Sequence, residues 1–192
     1  MICGLQMMQA EGSYVMSNTI IEALKTRRSI RRYKPDMVPQ EIIDEIIDAG
    51  LYAASGHGEQ KPIIVAVTNK ELRDEISVKN CEIGGWSPEV DPLYGAPVVL
   101  IVLAPKDWAN NKYDGSLVIG NLMLAADSLG IGSCWINRAR EEFESEWGKE
   151  LLKKIGIKGE WEGIGHCILG YPEDGAKPQA APRLPGRVYY VK

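Results

Sequence analysis

Apolar residues recur at helical spacing from the first strongly patterned stretch of the chain. In "SNTIIEALKTRR" Ile20, Ile21 and Leu24 fall on one face, and Thr19 with Glu22 has the spacing of a capping box, so the pattern predicts a helix ending near Arg27 or Arg28. "MVPQEIIDEIIDAGLYAASG" continues the period through Ile42, Ile43, Ile46 and Ile47, with Pro39 suited to a first helical position and Gly56 closing the segment. The acids of "EIIDEIID" alternate with those isoleucines and read as a solvated face. "IIVAVT", residues 63–68, is short and β-branched, a strand, and "KELRDEISVKN" predicts the helix after it. Residues 81–95 are rich in Gly and Pro and read as a surface loop. "APVVLIVLA" is apolar on both faces, as a buried central strand is.

The second half repeats this alternation. "DGSLVIGNLMLAADSLG", residues 114–130, combines an Asp cap candidate, a nearly all-round apolar body and a closing glycine, which predicts a deeply buried helix. "GSCWI" reads as an edge strand, "EEFESEWGKELLKKIG" as one helix, and "EGIGHCILGYP" as a strand ending at Pro172. From Pro172 to Val191 the chain holds four prolines and then "VYYV", a stiff extended tail whose β-prone end is expected to add a strand to a sheet, that of a partner subunit included. Helices mixed with three or four strands give an α+β fold. One domain is expected over residues 16–192. Residues 1–15 show no clear period and form an N-terminal extension, be it a leader, an alternative start or an extraneous segment.

Composition narrows the function classes. The chain has 192 residues, a formal net charge of −4 and a pI near 5.3, which argues against a general nucleic-acid binder, since that needs a broad basic face. Its longest apolar run is too short to cross a bilayer, and the N-terminus lacks the pattern of a signal peptide, so a cytoplasmic, membrane-free protein is expected. Cys3, Cys81, Cys134 and Cys167 form no CxxC pair, and His57 and His166 lack a third ligand at metal spacing, so no metal site is assigned.

Against this acidic background "RRSIRRY" concentrates four arginines, Arg27, Arg28, Arg31 and Arg32, around Ser29. One or two cations at a helix C-terminus complement its dipole. Four suit a local anion better, because guanidinium forks grip two phosphate oxygens and a serine hydroxyl adds a donor. Such a phosphate would be held by side chains, since the chain has no GxxxxGK[ST] and no convincing GxGxxG after a strand. Elsewhere, Ser55 to Gly58 reads either as a helix-terminating turn or as part of a site, and Cys134 with Trp135 either as core or as cavity wall.

Five motifs in order, "RRSIRRY", "AASGHGEQKPIIVAVTN", "YGAPVVLIVLA", "DGSLVIGNLMLAADSLGIGSCWI" and "GHCILGYP" with its proline-rich tail, resemble the FMN-dependent nitroreductase family over about residues 17–192. The resemblance implies a central, mostly antiparallel sheet flanked by helices, and a homodimer with C-terminal tails exchanged and two FMN molecules at its interface. It implies that Arg27, Arg28, Ser29 and Arg31 contact the phosphate, ribityl chain and ring edge. Ser55, Gly56, His57 and Gln60 match the segment brought by the second subunit, and Trp135, Ile136 and Asn137 the backbone beside the ring. Arg183 matches a late basic residue that completes the phosphate site. The implied activity is ping-pong transfer of hydride from NADH or NADPH through FMN to a nitro, quinone or similar small electron acceptor, with the flavin rather than a catalytic side chain carrying the chemistry. Many relatives read "SGxNxQPW" where this chain has "SGHGEQKP", so Gly58, Lys61 and Pro62 alter the pocket wall. The alternatives are a flavin-binding sensor or carrier without nicotinamide turnover, and a non-flavin module that uses its arginines to hold an acidic partner.

Overall fold

The computed structural model describes residues 7–10, 13–16 and 18–192. Its first elements are the strands of an antiparallel hairpin, β1 (Met7–Ala10) and β2 (Ser13–Met16), paired from Met7 with Met16 to Ala10 with Ser13. Cys3 lies outside the described residues.

Helix α1 (Thr19–Thr26) is capped by Asn18, whose side chain accepts the Ile20 N–H at 2.9 Å. The cap therefore sits one residue before the expected Thr19, and the Thr19–Glu22 box is not what starts the helix. No residue of α1 is buried, and Ile20, Ile21 and Leu24 lie open on its apolar face. Helix α2 (Gln40–Leu51) has Pro39 as its cap rather than its first residue, because Pro39 has an extended ψ of 144°. Gly56 opens a short 3₁₀ turn, Gly56–Gly58, instead of closing α2.

After strand β3 (Ile63–Val67), helix α3 (Lys70–Gly84) runs through Cys81–Gly84, so the expected loop starts only at Gly85. Gly85 is left-handed (φ 67°), which lets the N–H groups of Gly85 and Trp86 turn back onto Glu82 and Cys81 and end the helix. Strand β4 (Val98–Pro105) leads to helix α4 (Asn111–Ser128), which begins three residues before Asp114. Asp114 is not its cap, because its carboxylate accepts the Gly56 and Trp108 N–H groups instead. Nor is α4 buried all round: Tyr113 and Leu117 face outward in this chain. Strand β5 (Gly132–Ile136) is followed by two helices where one was expected, α5 (Ala139–Glu144) and α6 (Glu146–Lys154). Ser145 separates them with ψ 161° and its hydroxyl accepts the Gly148 N–H, as an N-cap does. Strand β6 (Trp161–Gly170) completes the set.

The sheet has the order β3-β4-β6-β5, antiparallel throughout, with β5 at an edge as its sequence suggests. Strand β4 carries the architecture. Its residues Val98 to Ala104 are wholly buried, and alternate side chains feed two separate cores. Val99, Ile101 and Leu103 join Ile76 of α3, Phe143 of α5 and Leu151 and Leu152 of α6 on one face. Val98, Leu100 and Val102 join Ile43 and Ile46 of α2 and Val118, Ile119 and Leu122 of α4 on the other. Continuous apolarity in the sequence thus becomes a sheet covered by helices on both sides. Among the described residues no helix is long and apolar enough to cross a membrane.

Candidate functional site

The free edge of β5 is covered by the arginine segment. The Ile30 N–H donates to the Ser133 carbonyl at 2.9 Å, Ser29 forms a parallel bridge with Ser133, and the Lys34 N–H donates to Tyr171 O at 2.8 Å. Tyr33 locks the segment from inside: its buried hydroxyl donates to Ile30 O at 2.7 Å, and burial pushes its pKa well above the ordinary phenol value, so it stays a neutral donor.

This docking aims arginines along the sheet edge, and their electrostatics differ from those of the chain's other guanidinium groups. Arg32, Arg73, Arg138 and Arg140 each sit beside a carboxylate. Among the described residues Arg27, Arg28, Arg31 and Arg183 have no carboxylate partner. Arg28 donates instead to the Lys25 and Arg27 carbonyls at 2.7 and 2.6 Å, at the C-terminal end of α1, while Arg31 lies 6.0 Å from the centre of the Tyr94 ring. An uncompensated group of cations beside a sheet edge is what an incoming phosphate requires.

Arg31 also borders a cavity of about 750 Å³. Cys134 through Asn137 of β5 and its exit form one wall, Arg138 at the start of α5 with Arg140 and Glu141 of its first turn another, and Trp86, Val90 and Tyr94 of the 85–95 loop a third. That size and aromatic lining suit a tricyclic ring. Trp135 is steered by its neighbours: its indole N–H donates to Asn137 Oδ1 at 3.0 Å, and a Cβ at Gly165 would come within 2.7 Å of the indole nitrogen. Only glycine leaves the indole where it is.

Ser55, Gly56, His57 and Gln60 do not reach that cavity. Ser55 and Gln60 line a separate hollow of about 120 Å³ with Asp114 and Val118. Their turn is braced by the Gln60 N–H on Ser55 Oγ (3.0 Å), by the Asp114 contacts, and by Trp108, whose ring meets His57 edge-on at 6.5 Å and Lys61 Nζ at 5.4 Å. Arg183 is exposed on the tail, donating to Ala181 O, and the tail's "VYYV" end makes no strand within its own chain. One chain thus brings Arg31 together with Trp135, Ile136 and Asn137, lays Arg27, Arg28 and Ser29 alongside, and keeps the remaining expected residues apart.

Backbone strain marks both groups. Among the described residues the non-glycine residues in left-handed conformation are His57, Gln60, Tyr94 and Arg138, two in the Ser55 turn and two on the cavity wall.

The nitroreductase family model matches residues 24–82 and 86–171. The chain belongs to the nitroreductase family. A Bacteroides fragilis nitroreductase with bound FMN is 28% identical with a TM-score of 0.84, over 92% of this chain and all of that one. The FMN reductase [NAD(P)H] of Bacillus subtilis is 27% identical over 88% of this chain and 71% of its own length. A Methanothermobacter thermautotrophicus protein, assigned to the NADH dehydrogenase/NAD(P)H nitroreductase class, is 38% identical over 128 residues, 60% of this chain and only 59% of that protein.

The cavity is also lined by residues that the sequence motifs do not single out, Asn80, Trp86, Asp91, Tyr94 and Arg138 among them. Asn80 left a signal: it stands four residues after Ile76 on the buried face of α3, a polar residue in an apolar row. Asp91 left less, because its role is to gather distant donors. Arg73 and Ser77 of α3 donate to its carboxylate, as do the backbone N–H groups of Leu93 and Gly95. Burial alone would push this carboxyl up, but Arg73, Gly95 and Ser77 outweigh it and hold the pKa below the usual carboxylate range.

A carboxylate with a lowered folded-state pKa contributes stability that is present above its unfolded value of about 4 and lost as pH falls through the folded one. Asp91→Asn should therefore lower the melting temperature by roughly 3–8 °C at pH 7, the effect of about 1.5–3 kcal/mol from charge-assisted bonds in a chain of this size, and the difference from wild type should narrow below pH 4. Melting curves from pH 3 to 7 check this. A difference that does not change with pH would mean the Asp91 charge does not hold the loop.

Proposed function

We propose that this nitroreductase-family chain is an FMN-dependent NAD(P)H oxidoreductase that works as a homodimer, with residues 16–192 as its flavin-binding domain and residues 1–15 as an extension. The observation that carries the reading is the cavity of about 750 Å³ at the covered edge of β5, where Arg31, free of a carboxylate partner among the described residues, meets a wall that includes Trp86, Tyr94 and Trp135. These residues fit FMN in chemistry as well as in size. Arg27, Arg28, Ser29 and Arg31 would contact the phosphate, ribityl chain and ring edge, Arg183 would complete the phosphate site, and Trp135, Ile136 and Asn137 would lie against the ring.

Bound FMN would supply the redox chemistry, accepting hydride from NADH or NADPH and passing electrons to a nitro, quinone or similar small acceptor. The chain's own share is to orient and to exclude. Trp86 and Tyr94 shape the space in which nicotinamide and acceptor take turns, and positive charge from Arg31 favours electron density arriving on the ring side of the cavity.

The second subunit enters because the site is divided within one chain. The Ser55–Gln60 turn sits in its own hollow, braced and strained without reaching the cavity, and it would complete a neighbour's site. Exposed Ile20, Ile21 and Leu24 of α1, Tyr113 and Leu117 of α4, and the tail residues Val188 to Val191 form the apolar surface such a neighbour would cover. Cys81, Cys134 and Cys167, buried as free thiols, suit a reducing cytoplasm.

The purified protein should be yellow and should bleach under anaerobic NADH or NADPH, recovering its colour when an acceptor is added. Colourless protein that takes up no added FMN would overturn the reading. Arg28→Ala should weaken FMN binding tenfold or more, the loss of one charge-assisted contact of about 1.5–3 kcal/mol, with little change in the melting of the FMN-free protein because the Arg28 guanidinium bonds only carbonyls at the end of α1. Unchanged affinity in a flavin titration would remove Arg28 from the phosphate site.

A further inference from the structure

From Asn80 at the cavity wall a polar network runs inward to Glu142 and His166, and the flavin reading leaves it without a task. His166 Nε2 and Glu142 Oε2 are 2.7 Å apart, and both side chains are wholly inaccessible to solvent. The other Glu142 oxygen accepts from Asn80 Nδ2 at 3.0 Å, and the same Asn80 nitrogen donates to the Asn137 carbonyl at 2.9 Å. A continuous path of hydrogen bonds therefore runs from the centre of the sheet, on β6, through α5 and α3 to the backbone that borders the cavity.

Stability does not explain this path. A buried carboxylate–imidazole pair is no more stabilising than apolar residues of the same volume. Here the cost is raised by two buried atoms without partners, Asn80 Oδ1 and His166 Nδ1. Direction is what the network supplies. Both hydrogens of the Asn80 amide are committed to acceptors, which fixes its rotation, and the Asn137 carbonyl is committed to Asn80. That carbonyl stands just before Arg138, whose left-handed backbone (φ 83°) turns β5 into α5. Released from Asn80, the Asn137 peptide would be free to rotate at this strained turn.

We propose that Asn80, Glu142 and His166 are positioning residues that fix the Asn137 peptide at the cavity wall and thereby set the relative affinity of the site for oxidised and reduced FMN. The reason is electrostatic: at the cavity wall the Asn80 N–H offsets the negative end of the Asn137 carbonyl, and losing that donor leaves the carbonyl uncompensated beside a site whose occupant gains electron density on reduction. This inference rests on the FMN reading above.

The test compares wild type, Asn80→Ala, Glu142→Ala and Glu142→Gln by anaerobic titration of each apoprotein with oxidised and with reduced FMN, alongside melting curves. Asn80→Ala cuts the link while leaving the Glu142–His166 pair in place, so it remains informative if Glu142→Ala fails to fold. Glu142→Gln keeps an oxygen for Asn80 and an amide for His166. Asn80→Ala, and Glu142→Ala where it folds, should weaken binding of reduced FMN relative to oxidised FMN at least tenfold, and Glu142→Gln should stay within threefold of wild type. Equal weakening of both forms, or a change in melting alone, would show the network to be packing and overturn the proposal. Wild type that binds neither form would instead sink the FMN reading itself, and the inference with it.

Discussion

The docking of the Ser29–Lys34 segment onto the edge of β5 is the contact from which the rest of the site follows. Through the Ile30 N–H on Ser133 and the Lys34 N–H on Tyr171, a stretch that holds no regular structure of its own becomes a continuation of the sheet. It covers an edge that would otherwise present unpaired backbone groups, and it sets Arg31 at the mouth of the large cavity. Tyr33, buried and kept neutral, makes that placement rigid.

An acidic chain can leave Arg27, Arg28 and Arg31 without carboxylate partners because nearby acids pair with other arginines, Arg32 of the same motif included. Glu141, Glu144 and Glu173 neutralise Arg138, Arg140 and Arg32, while Asp91 serves Arg73 and the 85–95 loop. The arginines left over are those on the β5 edge and on the tail. Charge is thus segregated by pairing rather than by composition, and local strain at Tyr94 and Arg138 shapes the wall next to it.

What could be read from the sequence depended on how local the cause was. The uninterrupted apolarity of β4 announced a central strand, and the α2 isoleucines announced a buried face, because burial on known periods leaves a direct trace. Cap positions shifted by a residue at Asn18 and Pro39, where competing capping groups lie side by side. The break at Ser145 was hidden by helix formers on both sides, and α3 outran its expected end because only Gly85, not Cys81, turns the chain. The arginine motif and the Trp135–Asn137 stretch were singled out through their resemblance to a family, and Arg31, Trp135, Ile136 and Asn137 line one cavity. Asn80 and Asp91 were not, since the partners of Asn80 lie 57 or more residues away and the side chains that bond Asp91 lie 14 or more away, and they meet only when the fold brings them together.

The separation of the Ser55–Gln60 turn from the cavity gives the account its central claim: one chain holds two halves of different sites, and the cofactor binds where two copies meet. Native mass spectrometry of the purified protein tests this directly, since it reports subunit number and flavin number in one spectrum. The account predicts twice the 21.2 kDa chain mass plus two FMN, with flavin lost when the subunits separate. A single chain retaining a full complement of FMN, or a dimer that never holds any, would contradict it.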